Sequence, residues 1–145
     1  MEKISGPFPF LYKIILIDDD VEDQELFSSA LQDFDHQLIK FSSGKAALNY
    51  LQPLPRPQHP LVIITDYQMP EMSGVDLLYA LKNNLQLYHI PVIIYSSAMN
   101  NLLQERLKRF GAAGCFAKSE HLDELKNFLK VLGVIFENSI FHVRE

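Results

Sequence analysis

Four short apolar runs in this chain each end in side chains that can do chemistry. Ile14-Ile15-Leu16-Ile17 runs into Asp18-Asp19-Asp20, and Leu61-Val62-Ile63-Ile64-Thr65 runs into Asp66. Val92-Ile93-Ile94-Tyr95 ends in Ser96-Ser97, and Cys115-Phe116-Ala117 in Lys118. Gathered at one place, these residues would supply carboxylates, a hydroxyl and an ammonium. Neighbouring strands lie about 4.8 Å apart, so the acids leaving two adjacent strands would sit within roughly 5 Å of one another. At an effective dielectric near 20, each ionised pair repels by about 3 kcal/mol. A proton, a lysine or a hard cation must relieve that repulsion. Magnesium favours a few carboxylates with waters and a phosphate oxygen, and phosphoryl transfer asks for little beyond positioning and charge neutralisation. The residue set is a magnesium and phosphoryl site in outline.

The elements that must position these residues read directly from the apolar pattern. Runs rich in Ile and Val without alternation are strands buried on both faces of a parallel sheet. Ligands of open parallel sheets bind beyond the C-terminal ends of such strands. Asp20 is placed to cap a helix over about Val21–Phe34, with Leu26, Phe27, Ala30 and Leu31 as its buried stripe. Six of the eight residues from Asp18 to Glu25 are acidic, and the later ones suit the first turn of a helix. His36–Phe41 is partly polar and reads as an edge strand. Ser43 then caps a helix through Leu51, and the proline-rich stretch Pro53–Pro60 is a stiff surface loop. Tyr67–Gly74 is a loop, followed by a helix over about Val75–Asn83.

Pro91 opens the fourth strand. A helix over about Asn100–Phe110 follows, with Leu102, Leu103, Leu107 and Phe110 expected to turn inward, and Gly111 stops it. Gly114–Ala117 is the fifth strand. A last helix over about Leu122–Glu137 carries the apolar stripe Leu122, Leu125, Phe128, Leu129, Leu132, Ile135 and Phe136, and Val131 and Val134 beyond it suggest homodimerisation through this helix. Five strands alternating with five helices require right-handed crossovers and an α/β parallel sheet.

Composition narrows the function classes. The 145 residues are expected to form one domain, with a core over about 12–137 and short tails. A net charge of −5 with no basic stripe argues against nucleic acid. No apolar run approaches the roughly 20 residues of a membrane helix. Cys115 is the single cysteine, which excludes an intrachain disulfide and fits a reducing, cytoplasmic setting. His36, His59, His89, His121 and His142 show no metal-ligand spacing.

On these motifs the chain resembles the response-regulator receiver domains of two-component signalling. Ile14–Asp20 resembles the family's first strand with its acidic pair, and Leu61–Gly74 its phosphoacceptor strand and loop. Ile90–Ser97 resembles the strand that carries a hydroxyl, and Gly111–Lys118 the strand that ends in a lysine. The resemblance implies a flavodoxin-like (βα)5 doubly wound fold with strand order 2-1-3-4-5. It implies that Asp66 accepts a phosphoryl group from a phosphohistidine on a sensor histidine kinase or histidine phosphotransfer protein. Asp19 and Asp66 would bind Mg2+ directly, Asp18 through water, and Gln68 through its backbone carbonyl. Ser96 would hydrogen-bond a phosphoryl oxygen, and Lys118 would pair with its charge.

The expected product is a stand-alone signalling switch that catalyses its own phosphorylation and dephosphorylation. Its affinity for a protein partner would change through the face made by the fourth helix, fifth strand and fifth helix. A small Mg-dependent phosphatase or phosphotransferase with its aspartyl nucleophile after the first strand is the alternative. Two positions depart from the family: Ser119 stands where a proline is usual, and Cys115 where an aromatic is usual.

Overall fold

The computed structural model describes residues 13–34, 36–52 and 61–132. Five parallel strands, β1 (Lys13–Ile17), β2 (Gln37–Phe41), β3 (Leu61–Thr65), β4 (Val92–Ser96) and β5 (Gly114–Ala117), form one sheet in the order β2-β1-β3-β4-β5. Between them run α1 (Val21–Leu31), α2 (Gly44–Leu51), α3 (Gly74–Lys82) and α4 (Asn101–Arg109). A fifth helix, α5, occupies 122–132. The flavodoxin-like order expected from the sequence is the one observed.

The register places the chemistry. β1 pairs with β3 so that Ile17 lies opposite Thr65, and the next residues, Asp18 and Asp66, leave the sheet side by side. β4 pairs with β5 with Ser96 opposite Ala117, so Lys118 emerges beside the hydroxyl. Both β3 and β4 are buried at every position, as strands covered on two faces must be. β2, half exposed throughout, is the edge its polar sequence foretold.

Side chains alternate between the two faces of each strand, and the core therefore divides in two. Ile14 and Leu16 of β1 join Phe27, Ala30 and Leu31 of α1 and Leu125, Phe128, Leu129 and Leu132 of α5. Ile15 and Ile17 face the other way, onto Ala47 and Leu51 of α2, Leu77, Leu78 and Leu81 of α3, and Leu107 of α4. Cys115 lies in this second core as a small buried hydrophobe.

Each helix start carries the cap its sequence supplies. Asp20 accepts from the amides of Glu22 and Asp23, Ser43 from Ala46, and Asn100 from Leu103. Ser73 and Asp76 form a reciprocal capping box on α3. α4 ends before Gly111, whose φ of +109° suits glycine.

Three expectations are corrected. α1 stops at Leu31 rather than Phe34; Phe34 is buried just beyond it, its N–H bonded to the Leu31 carbonyl. α3 starts one residue early, at Gly74. In α4, Leu102 and Phe110 are exposed, not turned inward. Successive helical residues are 100° apart, so a short helix on the sheet margin buries Leu107 and part of Leu103 but cannot also bury Leu102. In α5, Leu125, Phe128, Leu129 and Leu132 face the core while Leu122 and Val131 stay partly exposed. Ile135 and Phe136 of the expected stripe, Val134 beyond it, and the Pro53–Pro60 loop lie outside the described residues.

Gly74 is the one glycine on which the site's backbone rests. A Cβ there would stand 2.4 Å from the Asp66 carbonyl oxygen and 3.1 Å from Tyr67 Cα. Alanine is worth about 1 kcal/mol over glycine inside a helix, yet overpacking against backbone costs about 1–3 kcal/mol. Gly74→Ala is therefore expected to lower the unfolding free energy by about 1–2 kcal/mol in a urea titration. A variant as stable as wild type would show that the close approach is not real.

Candidate functional site

Beyond the C-terminal ends of β1 and β3, carboxylate oxygens of Asp18, Asp19 and Asp66 lie within 4.8 Å of one another. Backbone hydrogen bonds fix this meeting. The Asp18 amide donates to the Phe41 carbonyl and the Asp66 amide to the Ile17 carbonyl, continuing the ladder one residue past each strand. The buried Gln24 of α1 clamps the same corner, its Nε2 donating to the carbonyls of Asp18 at 2.6 Å and Phe41 at 3.0 Å.

Lys118 reaches into the cluster from β5. Its Nζ lies 2.7 Å from Asp18 Oδ2, 2.7 Å from Asp23 Oδ2 and 3.2 Å from Asp66 Oδ2. An ammonium has three donors, and here each faces a carboxylate. Burial opposes the charged lysine, but its hydrogen bonds to Asp18 and Asp23 and the nearby charges of Asp18 and Asp66 outweigh it, holding its pKa above the ordinary lysine value. Asp18 is shifted up by burial, against the lowering effect of its bonds from Lys118 and the Asp20 amide. Four carboxylates share one ammonium, so the cluster keeps a net negative charge.

The remaining members sit around this centre. Asp66 is nearly enclosed; its Oδ1 accepts from the Tyr67 amide at 2.8 Å. Ser96 is buried at 3% exposure, and its Oγ accepts from the Ala98 amide at 3.3 Å. Among the described hydrogen bonds that hydroxyl donates to no protein group, leaving its proton for a ligand. The Lys118 amide donates to the Ser96 carbonyl at 2.9 Å, tying hydroxyl and ammonium together through the backbone. Gln68 is exposed on the loop two residues past Asp66. Asp19 is exposed, with no protein partner for its side chain among the described contacts.

Three contacts were not foreseen from sequence. Asp23 read as one more acid suited to the start of a helix; its place one turn into α1 brings it over Lys118. Gln24 carried no sequence signal at all. The third involves Ser119, where proline is usual in the resembling family. Its amide donates to Tyr95 Oη at 3.2 Å, a bond proline could not make. Tyr95 is buried, stacked on Phe128 at 5.0 Å and edge-on to Phe27 at 6.4 Å. Phe116 meets Phe128 at 4.5 Å from the other side. Tyr95 and Phe116 thus belong to one packed cluster around Phe128.

The donor set fits a small hard cation. Oxygen ligands about 2.0–2.1 Å from Mg2+ stand no more than about 4.2 Å apart, a modest contraction of the present spread. The arrangement also offers a nearly enclosed carboxylate, Asp66, flanked by an ammonium and near a buried hydroxyl.

Removing the lysine exposes the strain directly. Lys118→Met leaves the buried Asp18 without its main counter-charge, at a cost of about 1–3 kcal/mol at pH 7. A carboxyl whose folded pKa lies above its unfolded value disfavours folding once ionised, so that penalty fades as pH falls through the folded pKa. Without the lysine the upward shift of Asp18 grows. Urea midpoints should therefore rise more for Lys118→Met than for wild type between pH 7 and 5. Parallel pH profiles would contradict the assignment.

A family model for the response regulator receiver domain matches residues 14–130. The two-component response regulator ORR3 of Oryza sativa subsp. indica is 40% identical over 84 residues, 58% of this chain; the match spans 62% of that relative's length, under two thirds. The polar-differentiation response regulator DivK of Brucella ovis is 28% identical over 120 residues, covering 80% of this chain and 94% of that protein. The Mn(2+)-bound form of response regulator Rcp1 superposes with a TM-score of 0.70 at 26% identity, over 83% of this chain and 90% of that one. Chemotaxis response regulator CheY4 of Vibrio cholerae gives 0.72 at 25% identity, over 86% and 98%. With its 2-1-3-4-5 sheet and the acids, hydroxyl and lysine at the strand ends, the chain belongs to the response regulator receiver domain family of two-component signalling.

Proposed function

We propose that this chain is a phosphorylation switch in which Asp66 takes a phosphoryl group from a phosphohistidine. The observation that carries the reading is the nearly enclosed Asp66 carboxylate, 12% exposed, held 3.2 Å from Lys118 and within 4.8 Å of two more carboxylates. One carboxylate oxygen forms the new O–P bond as the N–P bond of the donor breaks, and the released imidazole nitrogen takes up a proton. The product is an acyl phosphate. Lys118 meets the charge that arrives with the phosphoryl group, and the free hydroxyl proton of Ser96 serves one of its oxygens.

Asp18, Asp19 and Asp66, with the Gln68 carbonyl, would hold Mg2+, which supplies further neutralisation of the phosphoryl oxygens. Asp19, exposed and without a partner among the described residues, supports this assignment. Asp23 is a positioning residue: it keeps a hold on Lys118 when Asp18 and Asp66 turn to other partners.

Drawing Ser96 toward Asp66 would disturb the Ala98 amide that its Oγ now accepts from, and with it the start of the β4–α4 connection. That gives a local charge change a route to the protein surface. The donor is a sensor histidine kinase or a histidine phosphotransfer protein, and the output is altered affinity for a second protein.

Incubation with acetyl phosphate and Mg2+ tests the reading. Wild type should gain one phosphate, seen by intact-mass measurement, and Asp66→Asn none. Equal labelling of the two would remove Asp66 from its role. Steady turnover of p-nitrophenyl phosphate, undiminished in Asp66→Asn, would favour the phosphatase alternative.

A further inference from the structure

The switch makes no use of an open groove of 530 Å³ between α4 and the start of α3. Tyr67 and Val75 form one wall, and Leu103, Arg106, Leu107 and Phe110 the other. Leu103, Arg106 and Leu107 of α4 and Phe110 at its C-cap follow the three-four-seven spacing of a single helical face, and Arg109 borders it. Leu107 is the buried floor, whereas Phe110, at 58%, stands exposed at its edge.

Charge separates this groove from the rest of the surface. The chain carries a net charge of −5, yet the last turn of α4 holds Arg106, Lys108 and Arg109. Arg106 and Arg109 line the groove, and among the described residues neither forms an ion pair. Guanidinium groups beside an apolar trough suit carboxylates, which they bind in a two-pronged geometry.

We propose that this groove docks an acidic amphipathic segment of the downstream protein, apolar residues seated over Leu107 and carboxylates on Arg106 and Arg109. It lies on the α3 side of α4, away from the face formed with β5 and α5 that the family resemblance suggested. Tyr67 links it to phosphorylation, because its amide donates to Asp66 Oδ1 at 2.8 Å and its carbonyl accepts from the Gly74 amide at 2.8 Å. A phosphoryl group on Asp66 would compete for that amide and move one wall. This coupling rests on the switch reading; the docking surface does not.

The probe is a synthetic helical peptide with Leu and Phe along one face and Glu on both flanks, alongside a twin with every Glu replaced by Lys. Titrated into 15N-labelled unphosphorylated protein, the acidic peptide should shift the amides of Tyr67, Leu103, Leu107 and Phe110, and its Lys twin should not bind. The double substitution Arg106→Glu, Arg109→Glu, at exposed positions, should weaken the acidic peptide about tenfold or more and admit the Lys twin. Equal binding of both peptides, undiminished binding to the double variant, or shifts confined to β5 and 122–132 would overturn the docking surface.

Acetyl phosphate labelling of the same samples separates the two ideas. Failed docking on protein that labels normally overturns the groove alone, and lost labelling with intact docking overturns the switch alone. An acidic-peptide affinity unchanged by labelling overturns the coupling.

Discussion

One ammonium among too many carboxylates is the constraint on which the rest of this molecule depends. Lys118 Nζ contacts Asp18, Asp23 and Asp66, while Asp19 completes the acidic group without a counter-charge among the described residues. Bringing like charges this close is unfavourable, and the fold supports it with apolar burial elsewhere. β3 and β4 have no exposed position, and both faces of the sheet are filled by aliphatic and aromatic side chains. The site is held in a strained electrostatic state by a core that has no part in its chemistry. A group that adds positive charge would relieve that state, which suits the proposed phosphorylation switch better than a purely structural ion pair.

Backbone connections tie the site to the surrounding elements. Ser96 and Lys118 are joined by a main-chain hydrogen bond, Lys118 is followed by Ser119, and the Ser119 amide is held by Tyr95, the residue before Ser96. The loop is closed: hydroxyl, ammonium and buried phenol are joined through consecutive backbone and side-chain hydrogen bonds. On the other side, Asp66 is bonded to Tyr67, whose carbonyl holds Gly74 at the head of α3. The two walls of the pocket thus lead to different surfaces.

Most of this architecture was legible in the residues, because a parallel sheet writes itself as separate Ile- and Val-rich runs and delivers its chemistry at their ends. Asp18, Asp66, Ser96 and Lys118 each follow such a run, and register alone brings them together. What was not legible depends on rotation about a helix rather than on strand order. Asp23 contacts Lys118 because of the angle at which α1 leaves Asp20, which no local pattern specifies. Leu102 and Phe110 looked like core by their type, but Leu102 is turned off the buried face of α4 and Phe110 stands at its C-cap, past the last helical residue. The end of α1 at Leu31 was equally hidden, since Phe34 is buried without being helical.

Three aspartates whose carboxylate oxygens lie within 4.8 Å of one another call for a divalent cation. Isothermal titration of the unphosphorylated protein with Mg2+ tests it most directly. Saturable binding of one ion is expected, lost in Asp19→Asn, whose side chain has no partner among the described residues to confuse the result. Heats no larger than dilution for wild type, or an undiminished isotherm for Asp19→Asn, would contradict it.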